Sequence, residues 1–571
     1  MVSDARALAT WLASREDAAL ASTLASRGIS PQANWHDFFD AAESLLDASS
    51  IDRALTRLDR TDLAALAAGQ VPAGSAAARL ALGDADGRPF PRVAERVATA
   101  READPEAFVA ASASHPAIAD DVREAAAAAE RAFTTSGSLA DVLVACLHTP
   151  LSRTGSGTVS AVDRRRLVES GAIADPDDLE DLLSSANAAG LAVARDREWV
   201  VTRAGEDWLE ASTLDRWVRI VQGLRASLPE GLRTAIGGVV PLAVWANAYP
   251  LDPDWPAEAE RLRRVGRRWG LVGSGDAEFA WTASVREGGA VDASELARHL
   301  PAEIDRVYLQ ADLTAIAPGP LAPALDLRLR SIAKREARAQ ASTYRFTADS
   351  LAAGLTEGET AESIRAFLTE LSLTGIPQPL EYLIESVAAR HGLVRVRTDE
   401  TSGRTIVESA DAALLDTIAV DQSLRPIGLI PADGALTSRV ARDAVYWALA
   451  DARYPVIALD ASGAPESVHR RTATAPSEPA ATPEQTYARL IATLRGGHGT
   501  DGEAGWLERE LEQAVRARAE IVVVVRMPDG TERELTLEAA GLGGGRLRGR
   551  DRAADIERTL PVSSIVSVHG A

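Results

Sequence analysis

A change of periodicity midway along the chain limits its fold more than any other feature. Across 360–397 the apolar positions recur first at three and four residues, then at two. Thr360 is placed to cap a helix that carries Glu362 in its first turn, suited to the helix dipole, and Ile364, Phe367, Leu368 and Leu371 fall on one face. The turn Pro377-Gln378-Pro379 starts a second helix, with Leu380, Leu383, Ile384 and Val387 repeating the stripe before Gly392 ends it. In 393–397 the apolar Val394 and Val396 alternate with Arg395 and Arg397, which predicts a half-buried strand, and Ser402-Gly403 turns the chain back through 404–408. Upstream, 307–317 reads as a strand and 321–340 as one helix carrying Arg328, Arg330, Lys334, Arg335 and Arg338. Helices and strands interleaved in this way make a mixed α/β unit.

Three runs inside this unit carry a resemblance. Tyr344-Arg345-Phe346-Thr347-Ala348-Asp349-Ser350-Leu351, then Leu373-Thr374-Gly375-Ile376-Pro377, then His391-Gly392-Leu393-Val394-Arg395-Val396-Arg397 resemble the N-terminal domain of the XPB family of DNA-repair helicases, a helicase-associated module. The loop 398–403 is longer than in those helicases. The motor is missing from the sequence: no G-x-x-x-x-G-K-[ST] run occurs, and the only lysine, Lys334, follows no glycine loop. The resemblance therefore implies a non-enzymatic protein that carries the accessory module without its engine, as do the winged-helix subunit of the eukaryotic transcription-and-repair factor and the archaeal nuclease partner. An XPB-type helicase is the protein partner so implied, with no cofactor.

At 571 residues the chain exceeds what one core serves, and its 46% apolar share supports well-packed globules. No uninterrupted apolar stretch is long enough to span a bilayer and the N-terminus lacks signal-peptide regions, so a cytoplasmic location is expected. The single cysteine, Cys146, excludes a disulfide or a Cys-based zinc site and sits in an apolar run that suits a core residue. A net charge of −21 argues against coating nucleic acid by overall charge. Any DNA contact must then come from local patches.

The expected architecture is α+β and multidomain. Residues 1–115 form a helical N-terminal domain with Trp11, Leu20, Leu24, Phe38, Phe39 and Leu45 as core candidates. Within it 50–55 and 59–63 suit either a helix-turn-helix or a plain bundle, and 69–87 a loosely held loop. In 116–212 the order helix (139–147), helix (162–170), helix (177–189), then strands at 190–193 and 198–202, is a winged-helix pattern. Its third helix opens with Asp175, Asp177, Asp178, Glu180 and Asp181, which phosphates would repel, so it reads as a protein-binding or spacer unit. A second winged-helix-like unit over 213–300 repeats the strand layout at 269–272 and 278–282. Its third helix carries Arg261, Arg263, Arg264, Arg267 and Arg268 around a stripe of Leu262, Val265 and Trp269. These five arginines, with Arg328, Arg330, Lys334, Arg335 and Arg338, are the candidate nucleic-acid-binding residues; the alternative is a solvated helix paired to acidic neighbours.

The XPB N-terminal-like domain occupies 301–460, completed by a helix at 410–415, a strand at 426–430, a helix at 438–450 and a strand at 455–460. Residues 461–484, rich in Ala, Pro, Ser and Thr, read as a linker. In 485–571 a helical hairpin precedes five short strands that suit a small SH3-like β-barrel, whose closing run Gly544-Gly545-Arg546-Leu547-Arg548-Gly549-Arg550 is similar to the end of WYL-type domains, although the Trp-Tyr-Leu signature is absent. No catalytic, cofactor-binding or metal-ligating constellation stands out. Two functions fit: a non-catalytic accessory protein of an XPB-type helicase in DNA repair, or a DNA-binding transcriptional regulator with a WYL-like sensing end; a nuclease, by analogy with the archaeal partner, is a third reading for which no recognisable motif stands out.

Overall fold

The computed structural model describes residues 4–110, 121–337, 342–463, 465–466, 468, 482–498, 502–527, 530–552 and 554–570. Helices and several separate sheets make it mixed α/β. At the N-terminus, short helices such as Phe38–Leu45, Ala48–Leu55 and Arg60–Ala67 start where Asp37, Asp47 and Asp59 accept first-turn N–H groups. Leu20, Leu24, Phe38, Phe39 and Leu45 are buried as expected, with Trp11 half-buried beside them. The segment expected to be loose at 69–87 is instead packed, with Val71, Ala77 and Leu82 buried. Helix Pro483–His498 returns to this core from far along the chain, inserting Tyr487, Leu490, Ile491 and Leu494, and the Tyr487 hydroxyl donates to the Ile29 carbonyl at 2.6 Å. Most of the expected linker lies outside the described residues.

Residues 122–297 share one apolar core and an internal repeat with an offset of eighty positions. A hairpin turn bridges Arg153 to Val159 in the first copy and Arg233 to Val239 in the second, with Gly157 and Gly237 at φ 89° and 79°. Gly190 and Gly270 take φ 73° and 68°, and the next N–H donates back to Ala186 and Gly266 respectively, each at 2.8 Å. Both glycines end the third helix of their copy, Asp178–Ala188 and Trp255–Arg268. A bridge between Gly83 and Pro89, with Gly87 at φ 75°, repeats the turn once more in the N-terminal region.

The copies diverge in their strands. In the first, Leu151–Ser152, Glu198–Val201 and Ala192–Arg195 form an antiparallel sheet in that order, and the helices expected at 162–170 and 177–189 are present as Ala161–Glu169 and Asp178–Ala188. The first helix is longer than expected, Val122–His148. In the second copy the strands expected at 269–272 and 278–282 do not form. Only Leu271 and Val272 precede Gly273, whose N–H closes a tight turn onto the Ala277 carbonyl, and Ala280–Thr282 is a 3-10 turn. Too few extended residues remain for a ladder.

Two sheets follow. The first runs Tyr308–Leu309, Thr314–Ala317, Ser342–Arg345, Lys334–Ala337, antiparallel throughout. Two expectations change here. The strand expected over 307–317 is a hairpin that turns at Leu313 (φ 66°), and the helix expected over 321–340 stops at Ile332, beyond which Lys334–Ala337 pairs with Ser342–Arg345. Helices Ala361–Leu371 and Gln378–Ala388 match the sequence, and Thr360 forms a reciprocal capping box with Ser363. The second sheet has the order Ile430–Ala432, Ala435–Ser438, Thr405–Ser409, Val394–Thr398, Val456–Leu459, Pro465–Glu466, and only the pairing of 394–398 with 456–459 is parallel. Where a strand was expected at 426–430, Gln422–Ile427 is a 3-10 helix that Gly428 ends in left-handed conformation.

The C-terminal strands, in the order Ile556–Pro561, Arg546–Asp551, Glu532–Gly543, Glu520–Arg526, Ile565–Gly570, make an open antiparallel sheet and not the closed barrel expected. Helix Gly502–Ala517 covers one face, setting Leu507 and Leu511 in the core that holds Val523, Leu537 and Leu547, so the apolar side is buried without closure.

Candidate nucleic-acid interface

The acidic third helix of the first copy and the basic third helix of the second lie side by side. Asp178, Glu180 and Asp181 occupy the N-terminal turn of helix Asp178–Ala188, while Arg267 and Arg268 end helix Trp255–Arg268, so each charge suits its own helix dipole. Those charges meet across the pair. Arg264 makes a two-pronged bond to Asp181, Nε to Oδ2 at 2.8 Å and Nη2 to Oδ1 at 3.0 Å. Arg268 reaches Asp181 at 3.3 Å through Nε and Asp178 at 2.5 Å through Nη2. The Asp181 side chain is 6% exposed, and its bond raises the Arg264 guanidinium above the ordinary arginine value. Trp269, buried at the end of the basic helix, donates Nε1–H to Ser185 Oγ on the acidic helix at 3.0 Å.

The other three arginines of this helix have partners of their own. Arg261 binds Glu258 through Nε at 2.8 Å and Nη2 at 2.7 Å, Arg263 pairs with Asp276, and Arg267 with Glu260. Of the expected stripe, Val265 and Trp269 are buried and Leu262 is half-buried.

The second group of candidates divides. Arg330 and Arg335 are drawn inward to Asp141 on the long helix Val122–His148, Arg330 Nη1 standing 2.8 Å from Asp141 Oδ1. Both also lie near Asp326, at 3.6 and 3.7 Å, and Asp326 accepts the Tyr344 hydroxyl at 2.6 Å. Asp141 is thus one contact between the repeat and the first mixed sheet, beside the His148–Glu357 pair and Leu327 packed on the repeat core. Arg328 instead bonds Glu359 at 2.7 Å, with its guanidinium 4.4 Å from the centre of the Phe367 ring. Lys334 is exposed at the start of its strand, and Arg338 lies outside the described residues.

Sequence reasoning found both helices and both charge signs and held pairing to acidic neighbours as the alternative, but did not identify the acidic helix of the first copy as that neighbour. The available signal was the eighty-residue offset, which places Asp181 and Arg261 at equivalent positions of two copies. Cys146 is buried, its thiol pushed up to about 11 by burial, with Sγ 3.1 Å from the Trp199 carbonyl oxygen. Among the described residues no group of three or more His, Cys, Asp or Glu side chains is placed to hold a metal ion, and no helix is long and apolar enough to cross a membrane.

Residues 307–433 match the family described as a helicase conserved C-terminal domain. The matched stretch spans the first mixed sheet with its helices and continues into the second sheet through Ile430–Ala432. No curated protein matches the chain. The chain is therefore helicase-related over this stretch.

Proposed function

We propose that this protein is a non-catalytic accessory factor of an XPB-type DNA helicase, acting in DNA repair. The observation that carries this is the helicase-type match over 307–433 in a sequence that contains no phosphate-cradling glycine-lysine motif. The helicase-related unit docks on the helicase, and the two repeat copies act as arms, the first as a winged helix and the second as a helical unit without the wing.

DNA contact in this proposal falls to the candidates whose partners are exposed. Surface ion pairs are worth about 0–1 kcal/mol, so a phosphate can replace the exposed Glu258 at Arg261 or Glu260 at Arg267, and the exposed Lys334 is open to one, whereas Arg328 is held by the mostly buried Glu359. Displacing the buried Asp181 or Asp141 is far costlier. Arg264, Arg268, Arg330 and Arg335 accordingly hold the units together, and Arg263, mostly buried against Asp276, is held within its own copy.

Affinity purification of the tagged full chain tests this, with mass spectrometry of what is retained and genome-wide occupancy in parallel. Recovery of an XPB-type helicase with diffuse or damage-dependent occupancy is expected. Sharp promoter peaks without a helicase would replace the proposal with a transcriptional regulator.

A further inference from the structure

The second repeat copy contains a half-open apolar cavity of about 80 Å³ between helix Thr213–Ser227 and the basic helix. Val221, Leu224, Leu242, Trp245, Leu262 and Val285 supply most of its wall. Its position follows from the divergence of the copies. Val272 and Glu278, which line it, stand eighty positions after Ala192 and Glu198, residues of the paired strands that the second copy lacks.

The polar groups at the wall already have partners. Glu278, whose side chain is 7% exposed, lies 3.2 Å from Arg286, and burial pushes its carboxyl up. Trp245 donates Nε1–H to the Val240 carbonyl at 3.0 Å, so it offers the cavity hydrocarbon only. Ser227 donates to Leu224 O at 2.9 Å, Thr282 to Phe279 O at 2.7 Å, and Arg225 to Gly289 O at 2.7 Å. Ser227, Thr282 and Trp245 are thus satisfied within the wall, and the surface offered to a ligand is chiefly apolar. By the same measure of volume one water needs roughly 10–15 Å³, so the space takes about five to eight heavy atoms.

We infer that this cavity is a binding site for a small uncharged apolar molecule of single-ring size, such as a substituted benzene, held between helix Thr213–Ser227 and the basic helix. The inference stands independently of the helicase proposal. A cavity with an apolar wall gains dispersion contacts and sheds poorly held water when such a molecule enters.

The test uses the full chain and toluene as the probe. At a free concentration about ten times its Kd, toluene is expected to raise the melting temperature by about 3–6 °C. Val221→Phe and Val285→Phe, which fill the space, should each abolish the shift while keeping the parent circular dichroism. Bromobenzene soaked into crystals of the parent should place a bromine peak between Val221, Leu242 and Leu262, which decides the matter if the filled variants do not fold. No shift with toluene and no bromine peak would overturn the inference, as would a shift that survives in folded Val221→Phe. Binding of a leucine-bearing peptide in place of toluene would overturn it too, in favour of a protein anchor.

Discussion

Replacing Asp181 with alanine tests whether the arginine-rich helix is held by the acidic one. The substitution leaves Arg264 and Arg268 facing a pocket without its carboxylate. Removing one partner of a fully buried pair costs about 3–5 kcal/mol. Here the carboxylate is buried, but the side chains of Arg264 and Arg268 are 47% and 28% exposed and regain water. The expected loss is therefore smaller, about 2 kcal/mol, or a melting temperature lower by about 4–8 °C for a core of this size. Urea unfolding followed by tryptophan fluorescence reads it directly, because seven of the eleven tryptophans lie in this core. Asp178→Ala is the control: that side chain binds Arg268 alone and is 27% exposed, so its loss should cost less than about 1 kcal/mol. Equal effects of the two substitutions, or none from Asp181→Ala, would refute the argument.

Three further outcomes are expected. Charge reversal of Arg261 and Arg267 together should weaken DNA binding and lower the slope of log affinity against log salt by about 2, at roughly 0.9 for each phosphate no longer neutralised, with the melting temperature nearly unchanged because Val265 and Trp269 remain; filter binding across a salt series checks this. Burial pushes Glu357 from 4.5 up to about 7, so the folded state binds more protons than the unfolded one in that window. Stability should fall as pH rises through it, and Glu357→Gln, which also removes the ion pair to His148 at 3.5 Å, should flatten that fall in denaturant titrations at several pH values. Tyr344→Phe should cost about 1 kcal/mol, since it removes the bond from a buried hydroxyl to the partly exposed Asp326, measurable by urea unfolding.

What could be read from the sequence was local. The capping box at Thr360 and the stripe through Leu371 depend on residues within a few positions of each other, and so does the alternation through Val394 and Val396. Where pairing is non-local the pattern misled. Arginines at 328, 330 and 335 suit one long helix, yet the chain leaves the helix after Ile332 because Lys334–Ala337 gains ladder bonds from Ser342–Arg345. The same holds at Trp269–Val272: its likeness to Gly190–Val193 reflects the turn and helix end that the two copies share, but the ladder needs extended residues that Gly273 and the turn after it remove. At the candidate interface, charge was legible residue by residue, whereas its cancellation between Asp181 and Arg264 arises only once two helices eighty positions apart are packed together.

The most direct measurement of the central claim is the ATPase rate of a purified XPB-type helicase titrated with this protein, with complex formation followed by analytical ultracentrifugation in the same buffer. The account predicts a saturable change in rate that tracks a one-to-one complex and persists when Arg261 and Arg267 are reversed. An unchanged rate and no complex, with both proteins pure and folded, would contradict it.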